Sequence, residues 1–115
     1  GHRYRDMIDA GVNVCLGTDS IVCANPDDPQ PMGVLSAMRR LYRRDGTDPN
    51  TLLAMATNHG ALALLISMCY GTLRHGVDAR FACIDFDPAN PEDALQQVLN
   101  NDHPIEVLDL TCECG

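Results

Sequence analysis

The chain has 115 residues, enough for one domain or part of one and well short of the roughly 250 that a closed (β/α)8 barrel takes. Its formal charge is −8, and its eight cations are all Arg, with no Lys anywhere. An acidic chain of this kind argues against nucleic acid and anionic membrane as partners. Its longest largely apolar run, residues 61–70, falls far short of the about 20 residues that a bilayer span requires.

In chain order, residues 3–10 place Tyr4, Met7 and Ile8 on one helical face, and Gly11 closes the helix. The next stretch, VNVCLGTDS at 12–20, is the one around which the rest is arranged. Val12, Val14, Cys15 and Leu16 predict a short strand buried on both faces, as in a parallel sheet. Gly17 ends it, and Thr18, Asp19 and Ser20 form a polar cluster at its C-terminal end. In barrels and open parallel sheets the chemistry sits at that end of the strands, so Asp19 is the first candidate for a functional group. The alternative is a plain turn, because Asp and Ser side chains also bond nearby backbone amides. Helix, Gly, then strand is the second half of an α/β unit, and a chain opening on it reads as part of something longer.

Residues 21–31 predict a long loop ending in NPDDPQP, either a lid over a site mouth or ordinary surface. Asp27 and Asp28, exposed and flanked by Pro, read as solvated rather than metal-binding. A helix is expected from Pro31, with Val34, Leu35, Met38, Leu41 and Tyr42 facing the core. Arg39, Arg40, Arg43 and Arg44 then form a solvated face near its C-terminal end, rather than a phosphate site. Asp48 followed by Pro49 marks a second helix start, with a break near residues 58–60. His59 at that break reads as a capping or packing residue, with a ligand role as the alternative.

Residues 80–86 predict another strand, Asn90-Pro91-Glu92-Asp93 a further helix start, and Ile105, Val107 and Leu108 a last strand. The six Cys are at 15, 23, 69, 83, 112 and 114. With no secretory signal and two of them inside expected strands, they read as buried free thiols of a cytoplasmic protein. Cys112-Glu113-Cys114 lacks the spacing and partner ligands of a zinc site.

Taken together, GVNVCLGTDS, VLSAMRRL, LLAMATNHGALAL, GTLRHGVDARFACIDFD and PEDALQQVLNNDHPIEVLDL come in an order that resembles one family. It is the C-terminal part of the metal-dependent amidohydrolase superfamily, in the group of cyclic amidine deaminases and chlorohydrolases. The resemblance extends to about Leu110. It implies an α/β fold: the last strand and following helices of a (β/α)8 barrel over 1–67, part of a small β-sandwich over 68–110, and a tail at 111–115. It also implies that Asp19 binds one divalent metal ion, zinc or iron, and relays the proton of the attacking water. Thr18 and Ser20 become candidates to orient that carboxylate.

None of His2, His59, His75 and His103 stands in the family's ligand setting, so the resemblance puts the other ligands upstream. In the later motif Val77 and Arg80 stand where the family has Lys and Asp. The implied activity is hydrolysis of a carbon–nitrogen bond other than a peptide bond, deaminating or dechlorinating a heterocyclic amidine-type small molecule. The partners implied are that substrate and the rest of the barrel, and the pattern allows a homo-oligomer. By itself the segment is expected to be inactive. The competing reading is a non-catalytic remnant.

Overall fold

The computed structural model describes residues 3–18, 33–101 and 106–109. The first helix, α1 (Tyr4–Asp9), ends in a Schellman motif: Val12 N–H reaches the Met7 carbonyl and Gly11 N–H that of Ile8, each at 2.9 Å. Gly11 takes the left-handed conformation this motif requires, at φ 81°.

The strand expected after it differs from expectation. Residues 12–18 have no ladder partner among the described residues. They are not buried on both faces either: Val12 is 49% exposed and Cys15 is exposed, while Val14 and Leu16 pack against the core. The described residues cover this segment with helices on one side. Only side chains directed toward those helices leave water.

Helix α2 (Val34–Asp45) buries Met38 and packs Leu35, Leu41 and Tyr42 on the core, as its periodicity predicts. The solvated arginine face fails at one position. Arg39 is 5% exposed, and its Nε donates to the Val98 carbonyl at 3.1 Å. Val98 lies in the last turn of α5 (Ala94–Asn100), where carbonyls lack helical partners, and a guanidinium on a long apolar stem can reach one without leaving the core. Arg40, Arg43 and Arg44 remain exposed.

Helix α3 (Pro49–Ala56) starts as expected: Asp48 accepts from Thr51 N–H at 3.0 Å and Pro49 occupies the first turn. Leu52 and Met55 are fully buried. The expected break falls at Thr57, and α4 (Asn58–Ala63) follows. α4 also ends in a Schellman motif, with Ile66 N–H on the Ala61 carbonyl at 2.9 Å and Leu65 N–H on that of Leu62 at 3.1 Å. Here the left-handed position is held by Leu65, at φ 61°.

The strand expected over 80–86 is shorter, β1 (Arg80–Cys83), and pairs antiparallel with β2 (Glu106–Asp109), Arg80 opposite Asp109. Before α5, Asn90 accepts from Glu92 N–H at 3.2 Å and a 3-10 turn, Pro91–Asp93, leads into the helix. Between α4 and β1 the backbone comes very close: a Cβ on Gly71 would lie 2.8 Å from the Ala61 Cβ and 3.0 Å from the Asn58 Cα. The Arg80 guanidinium lies 5.3 Å from the Tyr70 ring centre, a cation–π distance.

The core joins Tyr4, Met38, Leu52, Met55 and Leu99, from α1, α2, α3 and α5. The buried-thiol expectation is corrected: Cys15 and Cys69 are exposed and Cys83 half-buried, the segments around them being covered on one side at most. Cys23, Cys112 and Cys114 lie outside the described residues. Among the described residues no helix is long and apolar enough to cross a membrane.

A polar knot ties α1 to the α2–α3 turn. The Tyr4 hydroxyl donates to Asp45 Oδ2 at 2.8 Å and contacts the Thr47 hydroxyl at 2.5 Å. Arg5 donates to the Asp45 carbonyl and to Thr47 Oγ1. Arg44 grips both Asp45 carboxylate oxygens, at 2.8 and 2.7 Å. That fork, followed by the Tyr4 hydroxyl, holds the Asp45 carboxyl well below the usual carboxylate range.

Three outcomes follow. Because Leu65 is 91% exposed, Leu65→Gly relieves its backbone without losing packing, and urea denaturation should show a gain of about 0.5–1 kcal/mol. Arg39→Met keeps the apolar stem but strands the Val98 carbonyl, and the same measurement should show a loss of about 1.5–3 kcal/mol. A lowered carboxyl pKa contributes stability above the unfolded value, about pH 4, and loses it as pH falls. Urea titrations at decreasing pH should show stability dropping below about pH 4, and Asp45→Asn should flatten that limb.

Candidate functional site

The segment leading to Asp19 is fixed by the break between α3 and α4. Thr57 leaves helical geometry at φ −126°, ψ −91°, which interrupts the helical ladder and leaves carbonyls in the last turn of α3 in need of donors. Thr57 takes two of them: its hydroxyl donates to Leu53 at 2.7 Å and its N–H to Ala54 at 3.3 Å. The Met55 carbonyl is taken by Leu16 N–H at 2.9 Å.

Just beyond the break, one residue makes two further bonds to the same segment. His59 Nδ1 lies 3.0 Å from the Val14 carbonyl, and Asn13 Nδ2 donates to the His59 carbonyl at 3.0 Å. A carbonyl only accepts, so His59 carries a proton on Nδ1. Residues 13–16 are thus joined to the α3–α4 junction by three hydrogen bonds that do the work of a strand ladder. His59 acts in packing and tethering, as its position at the break suggests. Asn13 was not singled out by the sequence pattern, although a lone amide inside an apolar run was the available sign.

Thr18 is exposed at the end of this tethered segment. Asp19 and Ser20 lie outside the described residues, as does the loop over 21–32. What the structure describes is therefore the mounting of Asp19, up to the residue before it. Along the segment run two open grooves. One of about 500 Å³ is bordered by Tyr4, Cys15, Leu16, Gly17 and Arg40. The other, about 970 Å³, is bordered by Leu16, Leu53, Ala56, Leu64 and Tyr70.

A metal centre requires several ligands at once. Among the described residues no three His, Cys, Asp or Glu side chains gather, and a catalytic zinc normally takes three protein ligands. His75 stands exposed in a turn, and the Nδ1 of His59 is committed to Val14. The described residues by themselves do not make a metal site.

Comparison with known proteins gives this arrangement its context. The amidohydrolase family profile matches residues 2–108. The 5-methylthioadenosine/S-adenosylhomocysteine deaminase of Halalkalibacterium halodurans is 36% identical over 86 residues, 72% of this chain and 19% of the relative. The protein of the same name from Clostridium tetani is 33% identical over 91 residues, 76% of this chain and 21% of the relative. The 5'-deoxyadenosine deaminase of Methanococcoides burtonii is 36% identical over 89 residues, 73% of this chain and 20% of the relative. The chain thus matches about a fifth of the length of these curated relatives. No solved structure matches it. With almost its whole length matched, the chain belongs to the amidohydrolase family.

Proposed function

We propose that this chain is the C-terminal segment of a metal-dependent deaminase that releases ammonia from the amino group of a purine nucleoside of the 5'-substituted adenosine type. The observation that carries the reading is the family match running through Asp19, at the end of a segment that the α3–α4 junction holds in place. The activities for which the relatives are named favour deamination over dechlorination and a nucleoside over other heterocycles.

In this reading residues 1–67 belong to the barrel and 68–110 to the small sandwich. The two grooves beside residues 12–18, and the largely exposed Leu64, Leu65, Met68 and Leu73, are surfaces that the remainder of the fold covers. A divalent ion, zinc or iron, when bound, lowers the pKa of a coordinated water toward neutrality. Asp19 is the ligand this chain contributes, the others coming from strands outside it. The Asp19 carboxylate takes a proton from the attacking water and returns it to the departing amine, which leaves as ammonia. Thr18 and Ser20 hold the carboxylate in its working orientation. The alternative reading is a non-catalytic remnant.

The two are separated by a chimera in which residues 1–110 replace the matching segment of the Halalkalibacterium halodurans deaminase. Ammonia release from 5-methylthioadenosine is expected to persist in the chimera. Asp19→Asn should lower it by on the order of 10³-fold, and the 115-residue chain by itself should show no turnover. A folded, metal-loaded chimera without activity, or one indifferent to Asp19→Asn, overturns the enzymatic reading.

A further inference from the structure

We propose that α5 is a strap built into the helical core, so that the β1–β2 sheet and helices α2 and α3 open together rather than as separate units. Although α5 lies within the 68–110 span read as the small sandwich, its buried side chains belong to the helices of the barrel part. Leu99 is fully buried in one cluster with Tyr4, Met38, Leu52 and Met55, and Val98 is buried as well. Each of these contacts joins two described residues and does not depend on what else surrounds the chain.

The strap is fastened along its length. At its entry the Asn90 side chain accepts from Glu92 N–H at 3.2 Å, and the Gln97 side chain accepts from Ala89 N–H, also at 3.2 Å. The second bond ties the connection from β1 to the helix it leads into. At the far end Arg39 Nε donates to the Val98 carbonyl at 3.1 Å, and Asn101 Nδ2 to the Gln97 carbonyl at 2.7 Å. Both acceptors lie in the last turn of α5, where carbonyls have no partner within the helix.

The register of the sheet turns this packing into a coupling. Cys83 stands opposite Glu106, so residues 84–105 form a loop closed at its base by the ladder, and α5 lies inside that loop. With α5 docked on α2 and α3, part of the loop is already held in place and the ladder closes at a reduced entropic cost. With α5 undocked, the ladder bears the closure of the whole loop. Loosening α5 from the core therefore weakens the sheet, although none of the groups that hold α5 belongs to either strand.

The test uses the 115-residue chain in solution and reads native-state amide hydrogen exchange. In Arg39→Met the amides of Leu52 and Leu99 are expected to exchange about 12- to 160-fold faster, the equivalent of losing a hydrogen bond from a charged donor. The slow amides of the ladder, at 80–83 and 106–109, should accelerate by the same factor. Leu99→Val removes one methylene from the core and should repeat the pattern at about 4-fold, a variant mild enough to stay folded if Arg39→Met does not. Ladder amides that keep their parent rates in both variants while α2, α3 and α5 accelerate would make the sheet a unit of its own and overturn the proposal. Acceleration confined to residues 94–101 would overturn it too, as would a parent chain whose ladder amides exchange freely. Neither Asp19 nor turnover enters this measurement, so its failure is distinct from a failure of the deaminase reading in the chimera.

Discussion

The arrangement depends on a helix interrupted at a single residue. At Thr57 the backbone turns out of helical geometry, and the carbonyls that α3 would have used internally become available to other donors. Thr57 itself satisfies two, and the third reaches across to Leu16. An unsatisfied buried carbonyl costs about 1–3 kcal/mol, so the break and the attachment of residues 13–16 sustain one another. The same turn delivers His59 to Val14, and so the placement of the segment below Asp19 follows from a local irregularity in a helix some forty residues later.

Around this joint the helices are packed by ordinary means. Leu52 and Met55 look inward from α3 to Tyr4, Met38 and Leu99, and each fully buried apolar side chain of this size contributes about 1.5–3 kcal/mol. Two of the buried polar residues, Arg39 and Thr47, enter the interior with partners. Arg39 caps the end of α5, and Tyr4 and Thr47 belong to the knot with Arg5, Arg44 and Asp45. These contacts hold α1 and α5 to the α2–α3 pair, so that the segment at 12–18 emerges from a rigid base.

Much of this was readable from the residues. Asp48-Pro49, Asn90-Pro91 and Gly11 mark element ends because each supplies a local bond or conformation that needs no distant partner. The apolar stripe of α2 was equally plain. What escaped were properties decided by neighbours. The run at 12–16 has the composition of a doubly buried strand, yet burial depends on what lies alongside, and among the described residues helices cover one side. Arg39 has the same local sequence setting as Arg40, and only the approach of α5 makes it interior. For the candidate site, Asp19 emerged from its position after an apolar run and from motif order. The tether through Asn13 and His59 could not, since it joins residues far apart in sequence through a kink whose direction the sequence does not specify.

Gly71 carries a consequence for how the chain is put together. With Ala61 and Asn58 pressed against its bare Cα, there is no slack between the end of the helical half and the segment leading to the sheet. A junction of that tightness cannot pivot. Residues 68–79 therefore lie as cladding against α4, and severing the chain at residue 67 would not release two finished pieces. It would strip the outer wall from one of them.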